Sequence, residues 1–466
     1  MPPNVLLVVL DAARRDALEP YGAPAGSTPV IGDLASGGRA LPEVYATACW
    51  TVPSHASMFT GLMPRAAGLA RVGSPQGAKP VVEAHRDRLV PEVLRRAGYA
   101  TGGVSANLWV SEASGFSTGF DDFFEVHTGR HVRFDRWRLR DRARWVAEAV
   151  RARVDDGAEN AARALEGMLE PRPDRPFFWF VNLIECHSPY LPPRGYGDVS
   201  LLDRVRALRD ARRHYTLDAI WRASAGGFDI PESTIERGRR LYAASIAYMD
   251  EWLGRFLERL DAAGALDDTV VIVTSDHGEN FGEGGLVAHA LSLDNRLIHV
   301  PFVIAGPGAD GHELTSLAEL PRLVADLAGL SEHPWTDGPP AGVGVAQFEP
   351  VVEPDDPRAT TAVERWGLGD EAVRRLTTPL TCAVRDGLKL LRRGEDEELY
   401  DLRVDPLELA PLADGSDRGR VAELRAALEH PAVTARRDPE SSAATGEASA
   451  EELRDIEERM RLLGYM

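Results

Sequence analysis

Three apolar runs, residues 5–10, 176–184 and 269–275, are too continuous for strands with one wet face and too short for free-standing helices. Residues 5–10 read Val-Leu-Leu-Val-Val-Leu, and the other two are as rich in β-branched or aromatic side chains. A strand without a polar face needs cover on both sides, and parallel sheets between helix layers provide it. A fourth run, 300–305, and a strand-like stretch at 100–105 extend the series. Helices are expected at 90–97, stopped by Gly98, and at 241–264, closed by glycine. The pattern predicts an α/β fold with a mixed, mostly parallel sheet flanked by helices. With 466 residues, one large domain is expected over 1–345, with helical insertions about 125–175 and 195–240. A smaller C-terminal α+β subdomain is expected over 376–466, with strands at 380–384, 388–391 and 397–402 and a charged terminal helix at 450–463. Residues 345–375 read as loop, 439–446 as a low-complexity linker, and 200–240 as a polar, irregular, arginine-rich stretch.

Each run gives way to polar residues. Asp11 ends the first, His187 stands just past the second, and Asp276 and His277 come directly after the third. Asn107 lies just beyond residues 100–105, and His289 lies in the glycine-rich loop beyond His277. Open α/β sheets bind their ligands at the carboxyl ends of their strands. Thr51 stands two places before Pro53, at the expected start of a helix that stops at Gly61. Its hydroxyl would sit at the helix's electropositive end, a place suited to anionic oxygens. Taken singly, Asp11 reads equally as a helix cap, Thr51 as an N-terminal hydroxyl, and each histidine as a structural residue. Taken together, Asp11, Asp276 and His277 make a divalent-metal site of hard and borderline ligands. If Thr51 joins them, the ion can lower the hydroxyl's pKa and make a nucleophile of it. His187 and His289 would then bind oxyanion oxygens or protonate a leaving group.

Composition narrows the partners. The formal net charge of −19 opposes a nucleic-acid surface. No run is long enough to span a bilayer, and the first residues lack the positive stretch of a signal peptide. Cys49, Cys186 and Cys382 are odd in number and far apart, so no disulfide framework is implied and a reduced, cytoplasmic protein is the expectation. Residues 115–119 match the G-x-S-x-G pattern of hydrolase elbows, but no buried strand precedes them, and the match reads as chance. Residues 130–153, dense in arginine with Trp137 and Trp145, read as a solvated amphipathic helix. The sharper alternative there is a lid attracting an anionic or lipid head group.

The order of motifs carries a resemblance. Residues 4–11, Trp50-Thr51-Val52-Pro53-Ser54-His55, Glu185-Cys186-His187-Ser188-Pro189-Tyr190 and Thr274-Ser275-Asp276-His277-Gly278-Glu279 occur in the order found in the sulfatase family of the alkaline-phosphatase superfamily. Residues 383–390, 398–402 and the closing 461–465 resemble its C-terminal subdomain and ending. The resemblance implies an alkaline-phosphatase-like fold, with Asp11, Asp276 and His277 as metal ligands and Thr51 in the nucleophile's place, also touching the metal. It implies oxyanion contacts for His187 and His289, and a lesser one for Asn107.

The sequence also departs from the family. Sulfatases proper carry Cys or Ser in C/S-x-P-x-R, which is oxidised to formylglycine; here Thr51 holds that position and His55 replaces the arginine, which makes His55 a substrate-binding candidate. Oxidation of threonine's secondary alcohol would give a ketone, and Cys49 has neither the proline nor the arginine at the required spacing. No formylglycine is therefore expected. Ala12 stands where many relatives carry a second acid or amide, which favours one divalent ion, manganese or zinc ahead of calcium or magnesium. Threonine nucleophiles resemble those of phosphodiesterases and phosphotransferases of the superfamily. The expectation is a metal-dependent hydrolase of a small anionic phosphate mono- or diester, or phosphonate ester, acting through a covalent phospho-threonine. The alternatives are a sulfatase without formylglycine, a phospho-group transferase, and a non-catalytic binding protein.

Overall fold

The computed structural model describes residues 2–127, 155–350, 369–413 and 418–437 together with Glu364, apart from residues 189, 225, 227, 228 and 290. The expected helices at 130–153 and 450–463 and the linker at 439–446 lie outside the described residues, as does most of 351–368. The strands, in chain order, begin with Asn4–Leu10 (β1), Arg39–Ala40 (β2), Ala100–Ser105 (β3), Asp122–Glu125 (β4), Phe177–Leu183 (β5) and Thr269–Thr274 (β6). A small hairpin, Asn280–Phe281 (β7) with Val287–Ala288 (β8), precedes Phe302–Ala305 (β9). The main sheet has the order β2-β9-β6-β1-β5-β3-β4; β6, β1, β5, β3 and β4 run parallel, β9 lies antiparallel to β6, and the edge strand β2 lies antiparallel to β9.

The continuous apolar runs are explained by cover on both faces. Val5, Leu7 and Val9 of β1 pack into one core with Phe178, Phe180, Val270 and Ile272, beneath the helices Thr51–Thr60 and Leu320–Leu327. Leu6, Val8 and Leu10 face the other core with Trp179, Val181, Val271 and Val273, beneath Ala158–Leu169 and the long helix Glu232–Ala262. Every residue of β1, β5 and β6 is buried. The order places β1 between β6 and β5, so the residues that follow these three neighbouring parallel strands emerge side by side at the carboxyl edge of the sheet, where open α/β sheets bind their ligands.

Two readings of the sequence are corrected. The expected helical insertion at 195–240 contains Leu201–His214 and Leu217–Ser224, but the long helix expected from residue 241 already begins at Glu232, as Glu232–Ala262. Part of the arginine density there forms interhelical ion pairs, Arg237 with Asp210 at 2.6 Å and Arg240 with Asp203 at 3.1 Å. The stretch at 345–375 is not all loop: Gly344–Phe348 (β10) pairs with Leu380–Arg385 (β11), and Asp370–Thr377 is helical. Leu388–Arg393 (β12) and Asp396–Asp401 (β13) complete an antiparallel sheet, β10-β11-β12-β13. One face packs on the helix Arg418–Leu428 through Leu388, Leu390 and Leu424. The other meets Tyr45, Cys49, Leu291 and Leu293 of the main body through Cys382 and Val384. Residues 115–119 lie in turns between Glu112–Ser114 and β4, with no buried strand leading into them.

Candidate active site

Thr51 is the first residue of its helix, after Trp50 in extended conformation, and Pro53 lies in the first turn, where a missing N–H leaves no gap. All ten residues of the helix are buried. Ser54 Oγ donates to the Asp276 carbonyl at 2.6 Å, which ties the helix start to the end of β6. Thr51, at 2% exposure, holds its Oγ1 3.5 Å from His277 Nε2 and 3.5 Å from Asn107 Nδ2.

Asp11 caps no helix. Its Oδ2 accepts from Asn107 Nδ2 at 2.6 Å and from Asn182 Nδ2 at 3.5 Å, while its Oδ1 has no hydrogen-bond partner. The chain turns at once through Ala12, whose positive φ of 62° is uncommon for a residue with a side chain and costs backbone energy. That turn lets the Ala12 N–H donate to Asp276 Oδ1 at 3.2 Å, beside the His277 N–H at 2.9 Å. Asp276 Oδ2 is left without a hydrogen-bond partner. His277 Nδ1 lies 2.9 Å from the Gly278 carbonyl, which only accepts, so the proton is assigned to Nδ1 and Nε2 carries a lone pair. That Nε2 stands 3.4 Å from Asp276 Oδ2 and 3.9 Å from Asp11 Oδ1. Gly278 is obligatory, because a Cβ there would lie 1.9 Å from the Arg296 carbonyl oxygen.

Asp11, Asp276 and His277 are fully buried, and ligand atoms from the three lie within 4.8 Å of one another. Burial, reinforced by the Asp276 charge, pushes the Asp11 carboxyl up to about 8, and burial pushes Asp276 up to about 7. Two adjacent carboxylates, each with an orphaned oxygen, and an imidazole lone pair form an unstable set alone and a fitting one around a divalent cation.

The other histidines gather beside this group. The His289 ring centre lies 4.5 Å from that of His277 and 4.9 Å from that of His187. His289 Nδ1 lies 3.1 Å from Glu279 Oε1, and Glu279 Oε2 accepts from the Tyr190 hydroxyl at 3.0 Å. Burial, then the neighbouring His277, holds the His289 imidazole well below its ordinary range, and burial lifts Glu279 to about 7. His187 Nδ1 pairs with the Ser188 carbonyl at 2.9 Å. His55 is held within the apolar core. Its ring meets Phe116 and Phe180 edge-on, Nδ1 lies 3.0 Å from the Thr51 carbonyl and 3.4 Å from Asp276 Oδ2, and burial lowers its pKa to about 3.

The structure thus brings Asp11, Thr51, Asn107, Asp276, His277 and His289 together, with His187 at their edge and His55 joined to Thr51 from inside the core. Three contributors carried no assigned role in the sequence. Asn182 was signalled only as a polar residue inside an apolar run, while Glu279 and Tyr190 stood unassigned at the ends of the two histidine motifs.

The family model for sulfatases matches residues 3–330. The chain belongs to the sulfatase family. This sulfatase-family protein is 29% identical over 458 residues to the choline-sulfatase of Rhizobium meliloti, covering 90% of this chain and 84% of that one. It is 23% identical over 475 residues to the arylsulfatase of Clostridium perfringens, covering 92% and 94%. The phosphonate monoester hydrolase of Agrobacterium radiobacter superposes with a TM-score of 0.62 at 20% identity, over 91% of this chain and 95% of that one. The fold is the alkaline-phosphatase-like one, and the protein is a hydrolase of sulfuric or phosphoric ester bonds. No helix among the described residues is long and apolar enough to cross a membrane.

Proposed function

We propose that this sulfatase-family hydrolase cleaves a phosphate mono- or diester, or a phosphonate ester, through Thr51. The observation that carries the reading is Thr51 itself. A buried hydroxyl at a helix N-terminus stands 3.5 Å from His277 Nε2, beside two orphaned carboxylate oxygens, and it cannot be oxidised to formylglycine. Asp11, Asp276, His277 and Thr51 would hold one divalent ion, for which two carboxylates and an imidazole suit manganese or zinc ahead of calcium or magnesium. Such an ion, when bound, lowers the pKa of a hydroxyl and offsets charge on phosphoryl oxygens.

In this reading Thr51 Oγ1 forms the new bond to phosphorus as the bond to the ester oxygen breaks, in line. Asn107 and His187 bind the remaining oxygens, and His289 takes the attacking hydroxyl's proton and returns it to the leaving oxygen. Water then cleaves the phospho-threonine. A sulfo-threonine lacks the elimination route that an aldehyde hydrate provides, which favours phosphorus. His55, neutral and hydrogen-bonded to the Thr51 carbonyl, supports the helix start from within the core. The buried, unpaired Cys49, Cys186 and Cys382 fit a reducing, cytoplasmic setting.

Direct sulfate-ester hydrolysis by Thr51 is the second reading, favoured by the choline-sulfatase and arylsulfatase similarity. Turnover of matched aryl sulfate, phosphate monoester, phosphodiester and phosphonate ester, with metal supplied, separates the two; clear sulfate preference overturns the first. Products formed with added alcohols reveal a transferase. A binding protein would show no turnover of any ester and no response to Thr51→Ala.

A further inference from the structure

Tyr190 and Glu279 close the two motifs that carry His187 and His277, and they meet in space. Glu279 is fully buried beside β7, and the pairing of Asn280 with Ala288 brings Glu279 opposite His289. Its carbonyl also accepts from Arg14 Nη1 at 3.3 Å, and that guanidinium is pinned by Glu283 at 2.8 Å. The residue is therefore held through its backbone as well as through its side chain. Tyr190 Oη donates to Oε2 at 3.0 Å, which leaves Oε1 to accept from His289 Nδ1 at 3.1 Å. A carboxylate that accepts at Nδ1 selects the tautomer with a proton there and a lone pair on Nε2. It also fixes the ring plane, which lies 35° from that of His277. Carboxylates behind functional imidazoles act in this way in metal sites and catalytic triads.

We infer that Glu279, braced by Tyr190, is a positioning residue that sets the orientation and tautomer of His289, so that Nε2 is the atom offered to the substrate. This rests on the reading of His289 as a substrate-facing residue, and it is indifferent to whether the ester is of phosphorus or sulfur.

The test uses the full chain labelled with ¹⁵N-histidine, with the His289→Ala spectrum assigning the resonance. The wild type is expected to show Nδ1 protonated and Nε2 bare. Glu279→Ala is expected to mix or reverse the tautomer and to lower kcat about 10–100-fold, with KM within about threefold. Glu279→Gln keeps an acceptor oxygen and should restore the tautomer and most of kcat. Tyr190→Phe should shift both in the same direction by less. A wild-type Nε2–H tautomer overturns the inference, as does Glu279→Ala with unchanged tautomer and kcat. If Glu279→Ala does not fold, Tyr190→Phe decides: no change in either readout overturns the inference. His289→Ala with full turnover would remove the reading of His289 itself, whereas impaired His289→Ala beside unimpaired Glu279→Ala would remove only the positioning role.

Discussion

Asn107 Nδ2 donates to Asp11 Oδ2 across 2.6 Å and stands 3.5 Å from Thr51 Oγ1. One amide thus fixes which Asp11 oxygen stays open, and it approaches the hydroxyl proposed to attack. Asn107 is itself held by the Trp109 N–H, which donates to its Oδ1 at 2.9 Å. Asn107→Ala should lower kcat/KM about 10–100-fold and weaken metal retention. Asn107→Asp should be worse, because it sets a third carboxylate against Asp11. Steady-state kinetics and bound-metal analysis of both variants check this.

Thr51→Ala should lose at least about 10³-fold in kcat, while Thr51→Ser, which keeps the oxygen, should retain measurable turnover. Mass spectrometry of quenched wild-type turnover should find the added group on Thr51. Full activity in Thr51→Ala would end the nucleophile assignment.

Metal binding should depend on pH in a set direction. Burial lifts Asp11 to about 8 and Asp276 to about 7, from an ordinary value of 3.8. Between about pH 4 and 8 the metal-free native state therefore keeps protons that the unfolded chain has released, and its stability falls as pH rises through that window. A cation needs those carboxylates deprotonated, so its affinity rises over the same range. Chelator-treated protein should melt lower at about pH 8.5 than at about pH 5.5, and added manganese or zinc should raise Tm more at the higher pH. Thermal melts across the series measure both trends; equal metal-induced shifts at both ends would contradict them.

Lys389 is buried in the C-terminal sheet, and its Nζ donates to Glu408 Oε2 at 2.6 Å and to the Leu293 carbonyl at 2.5 Å. Glu408 Oε1 accepts from the Asn295 N–H at 2.6 Å, so the pair clamps the loop beyond His289. Lys389→Met strands Glu408 and should cost about 3–5 kcal/mol of stability. Denaturant unfolding should show part of that loss recovered in the Lys389→Met/Glu408→Gln double variant.

The legible and illegible parts of this protein divide along a physical line. The apolar runs of β1, β5 and β6 could be read because cover on both faces leaves its mark residue by residue. The early start of the helix Glu232–Ala262 was hidden because partners such as Asp210 and Asp203, which satisfy Arg237 and Arg240, lie on a neighbouring helix. β10 was hidden for a related reason: a short strand gains its ladder only from β11, more than thirty residues further along.

The order of residues alone dictates the doubly covered sheet and the chemistry of residue 51, since a threonine is barred from formylglycine wherever it sits. Packing in three dimensions decides that Asp11 and Asp276 present orphaned oxygens to one His277 nitrogen, and that Glu279 and Tyr190 stand behind His289. Those contacts arise from strand order and from the turn at Ala12, which depend on how separate elements pack and leave no periodic trace in the chain.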